Sequence, residues 1–250
     1  MDINEYRRHY KLERTNWWFV SRRQIVNSFL SGLNEKGKVK ILDIGCGTGA
    51  NLKFFEKFGK VFGIDPSKEA LKYAKTIGCK GVKIGRAEKI PYKSDSFDAV
   101  LLLDVLEHTD NERDALKEIK RVSKKSSLLI MTVPAFMSLW GSPDEFLWHR
   151  RRYTKSELVK LAESAGFKVV KCSYFFFIFA IPLYFARRIE KLKYALVGGE
   201  KKLGATLSLQ PGVFNSILLA YMGLENLLLK YINLPIGTSI LCICKKIRRP

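Results

Sequence analysis

One apolar strand that runs straight into a glycine-rich turn restricts what this chain can fold into more than any other feature. Residues 39–44 read Val-Lys-Ile-Leu-Asp-Ile, and Gly45, Gly47 and Gly49 follow at alternate positions. Glycines in such a turn let the backbone come close to a ligand and open the next helix. The segment therefore predicts a ligand-binding loop at the carboxyl end of the first strand of an α/β fold.

Strand and helix patterns alternate along most of the chain. Asp65-Pro66 stops the second strand, and Ser67 is placed to cap the helix after it. The predicted strands are 39–44, 61–64, 81–85, 97–103, 127–133, one from about 168, and 238–247. The predicted helices in this part are 50–58, 67–77, 112–122 and 154–165. Because alternation at this spacing implies βαβ units, we expect a Rossmann-like, doubly wound, seven-stranded parallel sheet.

An apolar insertion separates the last two predicted strands. It begins with the aromatic run Tyr174–Ala186, which basic residues follow at once, and it contains a second helical stretch, Val213–Lys230. That stretch has only a narrow polar stripe (Asn215, Asn226, Lys230), so it must bury nearly its whole circumference against protein or lipid. The predicted units are an N-terminal helical extension or lid at 1–38, the core at 39–174, the insertion at 175–236, and the last strand with a basic tail at 237–250.

The net charge of +20 is concentrated where the chain is most apolar. Residues 175–250 carry 11 Lys and Arg against 3 Asp and Glu. Nucleic-acid-binding surfaces are basic but seldom apolar, whereas a surface that faces anionic lipid is both. A Lys-rich solvated surface is the alternative. No apolar run reaches the ~18–20 residues that span a bilayer, so we do not expect a transmembrane protein.

The number and spacing of the cysteines indicate whether the protein works in an oxidising or a reducing cellular compartment. The five cysteines form no CxxC pair, their number is odd, and the N-terminus does not resemble a secretion signal. These features indicate a reducing compartment. With the basic insertion, we expect a cytoplasmic protein that lies peripherally on the inner face of the membrane.

Two acidic residues make the glycine loop more specific. Asp43 lies two residues before the first glycine, and Asp65 lies 22 residues after Asp43, where an acid can accept from ribose hydroxyls in a doubly wound fold. The glycine spacing is GxGxG rather than GxGxxG, which argues against a nicotinamide cofactor. Across residues 39–133 the sequence resembles class I S-adenosylmethionine-dependent methyltransferases, through DIGCGTG, GIDPS, Ala87-Glu88, Ser96-Phe97-Asp98 and Leu106-Glu107-His108.

The resemblance implies S-adenosylmethionine as the cofactor, with the glycine loop at its methionine part and the second-strand acid at its ribose. The residues to which it gives cofactor contacts are Asp43, Gly45, Cys46, Gly47, Gly49, Asp65, Pro66, Arg86, Ala87, Glu88 and Asp104. Arg86 departs from the family, where many members have an Asp that receives the adenine amino group. Adenine recognition here would rest on backbone groups or on Glu88.

Candidate groups for the acceptor side follow the fourth strand. Asp104 ends that strand, and a base is needed only where the acceptor arrives protonated, as an alcohol or a phenol does. The catalytic candidates are His149, His108 and Asp104. Asp104, Glu107, His108 and His149 together resemble the ligand set of metal-assisted O-methyltransferases, in which a cation lowers the pKa of the acceptor hydroxyl. A metal-free site is the expectation, and the metal set is the alternative.

Segments outside the core extend the resemblance. Asn16–Arg23, Trp148–Thr154 and the closing 234–239 run look like a methyltransferase subfamily of lipid and cell-surface glycan pathways, and partly like ubiquinone-pathway O-methyltransferases. Trp17 and Trp18 suit a membrane interface, a lid over the cofactor, or a helix packed on the core. Arg150–Arg152 form either a solvated face or a phosphate-binding fork.

These observations together predict O-methyl transfer to a hydrophobic or lipid-linked acceptor at an anionic membrane surface. Two alternatives stay open at this stage. The net charge of +20 would suit an RNA methyltransferase, although no RNA-binding module is recognisable. A non-catalytic scaffold with the same fold, in a membrane glycan or lipid pathway, is the other, and the intact glycines and acids argue against it.

Overall fold

The computed structural model describes residues 3–33, 39–197 and 212–247. Parts of the predicted extension, insertion and basic tail (34–38, 198–211 and 248–250) lie outside these ranges. Seven strands form one sheet in the order β3-β2-β1-β4-β5-β7-β6. The strands are β1 Val39–Ile44, β2 Gly59–Asp65, β3 Val82–Ile84, β4 Phe97–Leu103, β5 Ser123–Pro134, β6 Phe167–Phe175 and β7 Ser239–Lys246.

Helices precede and connect these strands. They are α1 Ile3–Thr15, α2 Trp17–Leu30, α3 Ala50–Phe55, α4 Lys68–Thr76, α5 Glu112–Val122, α6 Ser142–Phe146, α7 Lys155–Ser164, α8 Ala180–Val197 and α9 Val213–Leu229. The Ser67 side chain accepts from the Ala70 amide and caps α4, as the sequence predicts. The helix predicted at 50–58 ends at Phe55 and tightens into a 3₁₀ turn over Glu56–Phe58.

The Rossmann-like fold class is confirmed, with one correction to the sheet. Strands β1 to β5 pair in parallel, but β7 runs antiparallel to both β5 and β6. The all-parallel prediction was wrong because the chain re-enters the sheet at the same end at which β6 leaves it, where Ser239 pairs with Phe175, and β7 then runs back between β5 and β6. The strand order reverses between β1 and β4, and the crevice at such a reversal is where α/β folds bind their ligands.

The N-terminal helices pack on the insertion and the core. Trp17 stacks on Phe179 with ring centroids 4.8 Å apart, and Trp18 stacks on Phe176 at 5.9 Å. The Trp17 amide donates to the Asn215 side chain of α9 over 2.8 Å. Of the three alternatives for the tryptophan pair, the structure therefore shows core packing.

Helix α9 does not bury nearly its whole circumference within the protein, as its composition had suggested. One side lies on α2, while Val213, Ile217 and Leu224 on the other side are more than half exposed. No helix among the described residues is long and apolar enough to cross a bilayer. All five cysteines are free thiols and are buried.

Candidate active site

The glycine loop adopts backbone angles that other residues avoid. Gly45 and Gly47 have φ of 71° and 51°. A Cβ on Gly45 would lie 2.5 Å from a methyl of Val105, whereas one on Gly47 would meet only a Glu13 carboxylate oxygen, at 3.6 Å. The loop thus needs glycine for its conformation, and its Gly47 side is open enough to receive a ligand.

Asp65 links the loop to the end of β2. Its Oδ2 accepts from the Gly47 amide over 2.9 Å, and its Oδ1 accepts from the Ser67 amide over 2.8 Å. Burial raises the pKa of Asp65, and the two amide donors oppose that rise. The carboxylate is therefore held in one orientation beside the loop, where the resemblance places a ribose-binding acid.

Asp43 is a buried acid whose side chain is not satisfied. Neither carboxylate oxygen has a hydrogen-bond partner within the described part of the chain, and only 1% of the residue is exposed. Burial raises the pKa of Asp43 to about 7, against the opposing charge of Arg22. The nearby Asn51 side chain also favours the ionised form, but it leaves the buried carboxylate without a well-formed hydrogen bond, which is costly, so this position fits a site that a ligand completes.

Arg22 brings a positive charge from α2 to the carboxyl end of β4. Its guanidinium forms an ion pair with Asp104 and lies 4.8 Å from the Trp18 ring centroid. Thr132 also donates to Asp104, over 3.2 Å. Both carboxylate oxygens of Asp104 thus have donors, and its charge also acts on Glu107 and His108, so Asp104 lies between the cofactor side and the acceptor side of the crevice.

The remaining cofactor candidates differ in how they are placed. Ala87 and Cys46 are buried, and Pro66 is exposed. The Arg86 side chain points outward to within 3.8 Å of Asp110. Glu88 accepts from the Asp110 amide over 2.9 Å, which leaves one of its oxygens for another donor. Recognition of adenine through Glu88 stays a prediction.

A buried acid orients His149 on the acceptor side. The Nδ1 atom of His149 lies 2.9 Å from Oδ1 of Asp144, and Arg152 and the Gly141 amide also donate to Asp144. Burial would raise the pKa of Asp144, but the donors His149, Arg152 and Gly141 outweigh it and lower that pKa. An ionised Asp144 accepts only, so His149 carries its proton on Nδ1 and leaves Nε2 as an acceptor.

His108 and Glu107 lie beside His149. The two imidazole centroids are 4.8 Å apart, and the ligand atoms of Glu107, His108 and His149 all lie within 4.8 Å of one another. Burial and His149 lower the pKa of His108, while burial and Asp104 raise the pKa of Glu107. Three of the four residues proposed as metal ligands therefore converge. The fourth, Asp104, is held by Arg22.

The arginine run that precedes α7 is divided: Arg150 and Arg151 are solvent-accessible, as a solvated face predicts, whereas Arg152 is buried. Arg150 pairs with Asp110, Arg151 with Glu157, and the buried Arg152 with Asp144. Each arginine is already matched by a carboxylate. Arg152 instead fixes the acid that orients His149.

Comparison with known proteins identifies the family. A family model described as a methyltransferase domain matches residues 42–131. An uncharacterized protein of Methanocaldococcus jannaschii is 30% identical over 64% of this chain and 80% of its own length. The demethylmenaquinone methyltransferase of Staphylococcus aureus is 30% identical over 51% of this chain and 67% of its own length. The chain belongs to the class I S-adenosylmethionine-dependent methyltransferases.

A solved structure supports the same fold for this methyltransferase. An S-adenosylmethionine-dependent methyltransferase of Thermotoga maritima, described as a possible histamine N-methyltransferase, superposes with a TM-score of 0.59 at 22% identity. The superposition covers 98% of this chain and 96% of the other. It shows that the two chains share one fold.

The residues of the crevice fit the cofactor of this family. S-adenosylmethionine carries a positive sulfonium and a zwitterionic amino-acid end, so it needs partners of both signs. The crevice offers the buried Asp43 oxygens and the buried Nε of Arg22, for which the described ranges of the chain supply no hydrogen-bond partner. Asp65 and the open face of Gly47 lie alongside. Asp43, Arg22 and Asp65 would hold the cofactor there.

The sequence patterns did not assign Glu13, Arg22 or Asp144 to the site. Glu13 lies on α1 and accepts from the Thr48 hydroxyl of the glycine loop over 2.6 Å. The Tyr6 hydroxyl of the same helix lies 3.1 Å from the Ser67 hydroxyl, two residues after Asp65. Helix α1 is thus tied to the glycine loop after β1 and to the turn after β2, beside the crevice. No local signal in the sequence marks these contacts, because each joins residues more than thirty positions apart.

We expect Glu13→Ala to weaken S-adenosylmethionine binding by about three- to tenfold, because loss of one charge-assisted hydrogen bond frees α1 from the loop. Isothermal titration calorimetry measures the affinity, and hydrogen exchange of α1 amides should rise in the same variant. Glu56→Ala is the matched control, since Glu56 pairs with the nearby Lys53 on the surface. Equal affinities for both variants would show that α1 does not cover the cofactor.

Proposed function

We propose that this methyltransferase transfers a methyl group from S-adenosylmethionine to an oxygen of a hydrophobic or lipid-linked acceptor at a membrane surface. The observation that carries the proposal is the Asp144–His149 pair at the acceptor side of the crevice. Methyl transfer to a hydroxyl requires removal of its proton, whereas an unprotonated amine needs no base. An oriented histidine with a free acceptor nitrogen therefore favours an oxygen acceptor.

Side chains on one side of the crevice hold the cofactor, and side chains on the other side act on the acceptor. S-adenosylmethionine, when bound, supplies an activated methyl group. Asp65 and Asp43 hold the cofactor side, and Arg22 fixes Asp104 between the two sides. Nε2 of His149 takes the acceptor proton, while Asp144 stabilises the imidazolium that results. His108, kept neutral by its lowered pKa, adds no competing charge beside it.

The hydrophobic character of the acceptor is supported by the residues near its side of the crevice. Phe146, Leu147 and Trp148 directly precede His149, and all three are exposed, Trp148 by 85%. Met137, at the turn after β5, is 53% exposed. Exposed apolar side chains grouped beside a polar site typically mark a surface that binds apolar ligands or membranes.

The test is transfer of labelled methyl from S-adenosylmethionine to a total lipid extract or to total RNA from the source organism. We expect label in the lipid fraction, in a product that keeps its methyl group on oxygen by mass spectrometry. Label in RNA, or a methylated nitrogen, would overturn the proposal. Asp65→Ala should abolish transfer and cofactor binding together, because it removes the acid that orients the loop. Asp98→Ala, on the same sheet but paired with Lys124 at the surface, should retain both.

A further inference from the structure

The two helices of the insertion are amphipathic with their polar sides turned inward. On α9, Asn215 bonds the Trp17 amide and the Thr15 carbonyl, and Asn226 donates to the Ser21 carbonyl. Glu225 accepts from the Phe176 and Phe177 amides. The opposite face is apolar and exposed, with Val213, Phe214, Ile217, Leu224, Leu227 and Leu228 between 49% and 77% accessible.

Helix α8 repeats this arrangement. Its inner side carries the Arg187–Glu190 pair, and Arg187 lies against Gly141 at the start of α6. Its outer side carries Ile181, Phe185, Ile189, Leu192 and Leu196, each at least 54% exposed. These five residues are three or four positions apart, so they form one stripe along the helix. Two apolar stripes of this kind, one on each helix, are unfavourable in contact with water.

Cations flank the α8 stripe, and acids are kept away from both outer faces. Arg188 and Lys191 border the α8 stripe on one side and Lys193 on the other, and all three are exposed. Lys230 is exposed at the end of α9. The two acidic residues of the described helices, Glu190 and Glu225, are turned inward to Arg187 and to backbone amides. The outer faces therefore combine apolar side chains with positive charge that neither acidic residue of α8 and α9 neutralises.

We propose that these outer faces of α8 and α9 form a docking surface for an anionic lipid bilayer. The inference rests on the proposed function in one respect: α8 packs on the Met137–Leu139 turn beside the acceptor side of the crevice. Apolar side chains enter the headgroup boundary while flanking cations meet lipid phosphates, each contributing roughly 1 kcal/mol. Docking would hold the acceptor side next to lipids.

A second copy of the chain fits this surface less well. Face-to-face pairing would bring Arg188, Lys191 and Lys193 of one copy against the same cations of the other, in a chain whose net charge is +20. A bilayer with anionic headgroups offers charge of the opposite sign over the whole area. The charge pattern thus selects lipid over self-association.

The experiment is co-sedimentation of the full chain, without cofactor, with vesicles of phosphatidylcholine alone or mixed with phosphatidylglycerol. We expect binding to the anionic vesicles only, reduced as salt rises from about 0.05 to about 0.5 M. Arg188→Glu with Lys191→Glu and Lys193→Glu should lower the bound fraction at least about fivefold. Ile217→Asn with Leu224→Asn should lower it by a similar factor.

The matched control reverses three exposed lysines of α4, Lys68→Glu with Lys72→Glu and Lys75→Glu, and should bind nearly as well as wild type. Thermal unfolding and cofactor titration should be unchanged in all variants, because the substituted side chains are exposed. Absence of vesicle binding, binding indifferent to lipid charge, or equal loss in the control would overturn the docking surface. A dimer dispersed by the α8 and α9 variants, without vesicle binding, would assign the surface to a second copy instead.

This readout is independent of methyl transfer. Vesicle binding without any labelled lipid would leave the docking surface standing and remove the lipid acceptor. Transfer of labelled methyl to lipid in detergent, with no binding to vesicles, would support the lipid acceptor and overturn the docking surface.

Discussion

Asp43→Asn is expected to unfold at a higher temperature than wild type at pH 8, and yet to bind S-adenosylmethionine at least about tenfold more weakly. The Asp43 carboxyl is buried and has no hydrogen-bond partner among the described residues. Its pKa is raised from 3.8 to about 7. The folded chain therefore binds a proton that the unfolded chain releases, and stability falls as pH rises from about 4 to about 7.

The size of the effect follows from that shift. Raising the pKa of Asp43 to about 7 costs the folded state up to about 4 kcal/mol once the group is ionised. The amide of Asp43→Asn stays neutral at every pH, so the variant is not destabilised by a buried charge. In a domain of this size the gain corresponds to a rise of roughly 5–10 °C in the unfolding midpoint. At pH 5 the unfolded chain has already released this proton while the folded chain keeps it, so a smaller difference, roughly 1.5–2 kcal/mol, should remain between the two proteins.

Whereas Asp43→Asn should stabilise the fold at pH 8, it should weaken the binding of S-adenosylmethionine. The sulfonium and ammonium groups of S-adenosylmethionine favour an ionised acid nearby, and the amide cannot supply that charge. Calorimetric unfolding at pH 5 and pH 8, with cofactor titration at pH 8, measures both effects. Asp98→Asn is the control, since its carboxylate pairs with Lys124 and its loss should bring no gain at pH 8. A wild type as stable as Asp43→Asn at pH 8 would show that the carboxylate is solvated.

The sequence located the elements whose signal is local. Phe97–Leu103 and Glu112–Val122 were predicted with the bounds that the structure shows, because a strand that is apolar except for Asp98 and a strongly periodic helix with Asn111 as its cap need no distant information. The glycine loop and the two acids that end β1 and β2 were likewise readable from spacing, and the strand order places them at one crevice.

Features that depend on contacts between residues far apart in the chain could not be predicted from the sequence. The antiparallel direction of β7 depends on how the insertion returns the chain, and its strand pattern is the same in either direction. The polar stripe of α9 could not be assigned to the inside, because its partners Trp17 and Ser21 lie about two hundred positions away. Asp144 was missed for a related reason: a single acid in a short helix acquires its role only from Arg152 and His149.

His149→Asn is expected to lower kcat by about a hundredfold or more while leaving S-adenosylmethionine affinity within about twofold of wild type. The imidazole is the only group on the acceptor side, among the described residues, whose Nδ1 is held by an ionised acid. Its loss removes the acceptor of the hydroxyl proton but no group proposed to hold the cofactor. Single-turnover transfer of labelled methyl to the lipid acceptor separates the chemical step from binding.

His108→Asn is the matched comparison, and we expect it to lower kcat less than about tenfold. His108 lies against His149, but no carboxylate of the described residues hydrogen-bonds to it, and burial lowers its pKa. Asp144→Asn should act like His149→Asn, because the amide can no longer stabilise a positively charged imidazole. Added imidazole should restore part of the rate to His149→Ala. If both histidine variants lost the same activity, the pair would work as a unit, as ligands of one metal do, and the assignment of His149 alone as the base would be wrong.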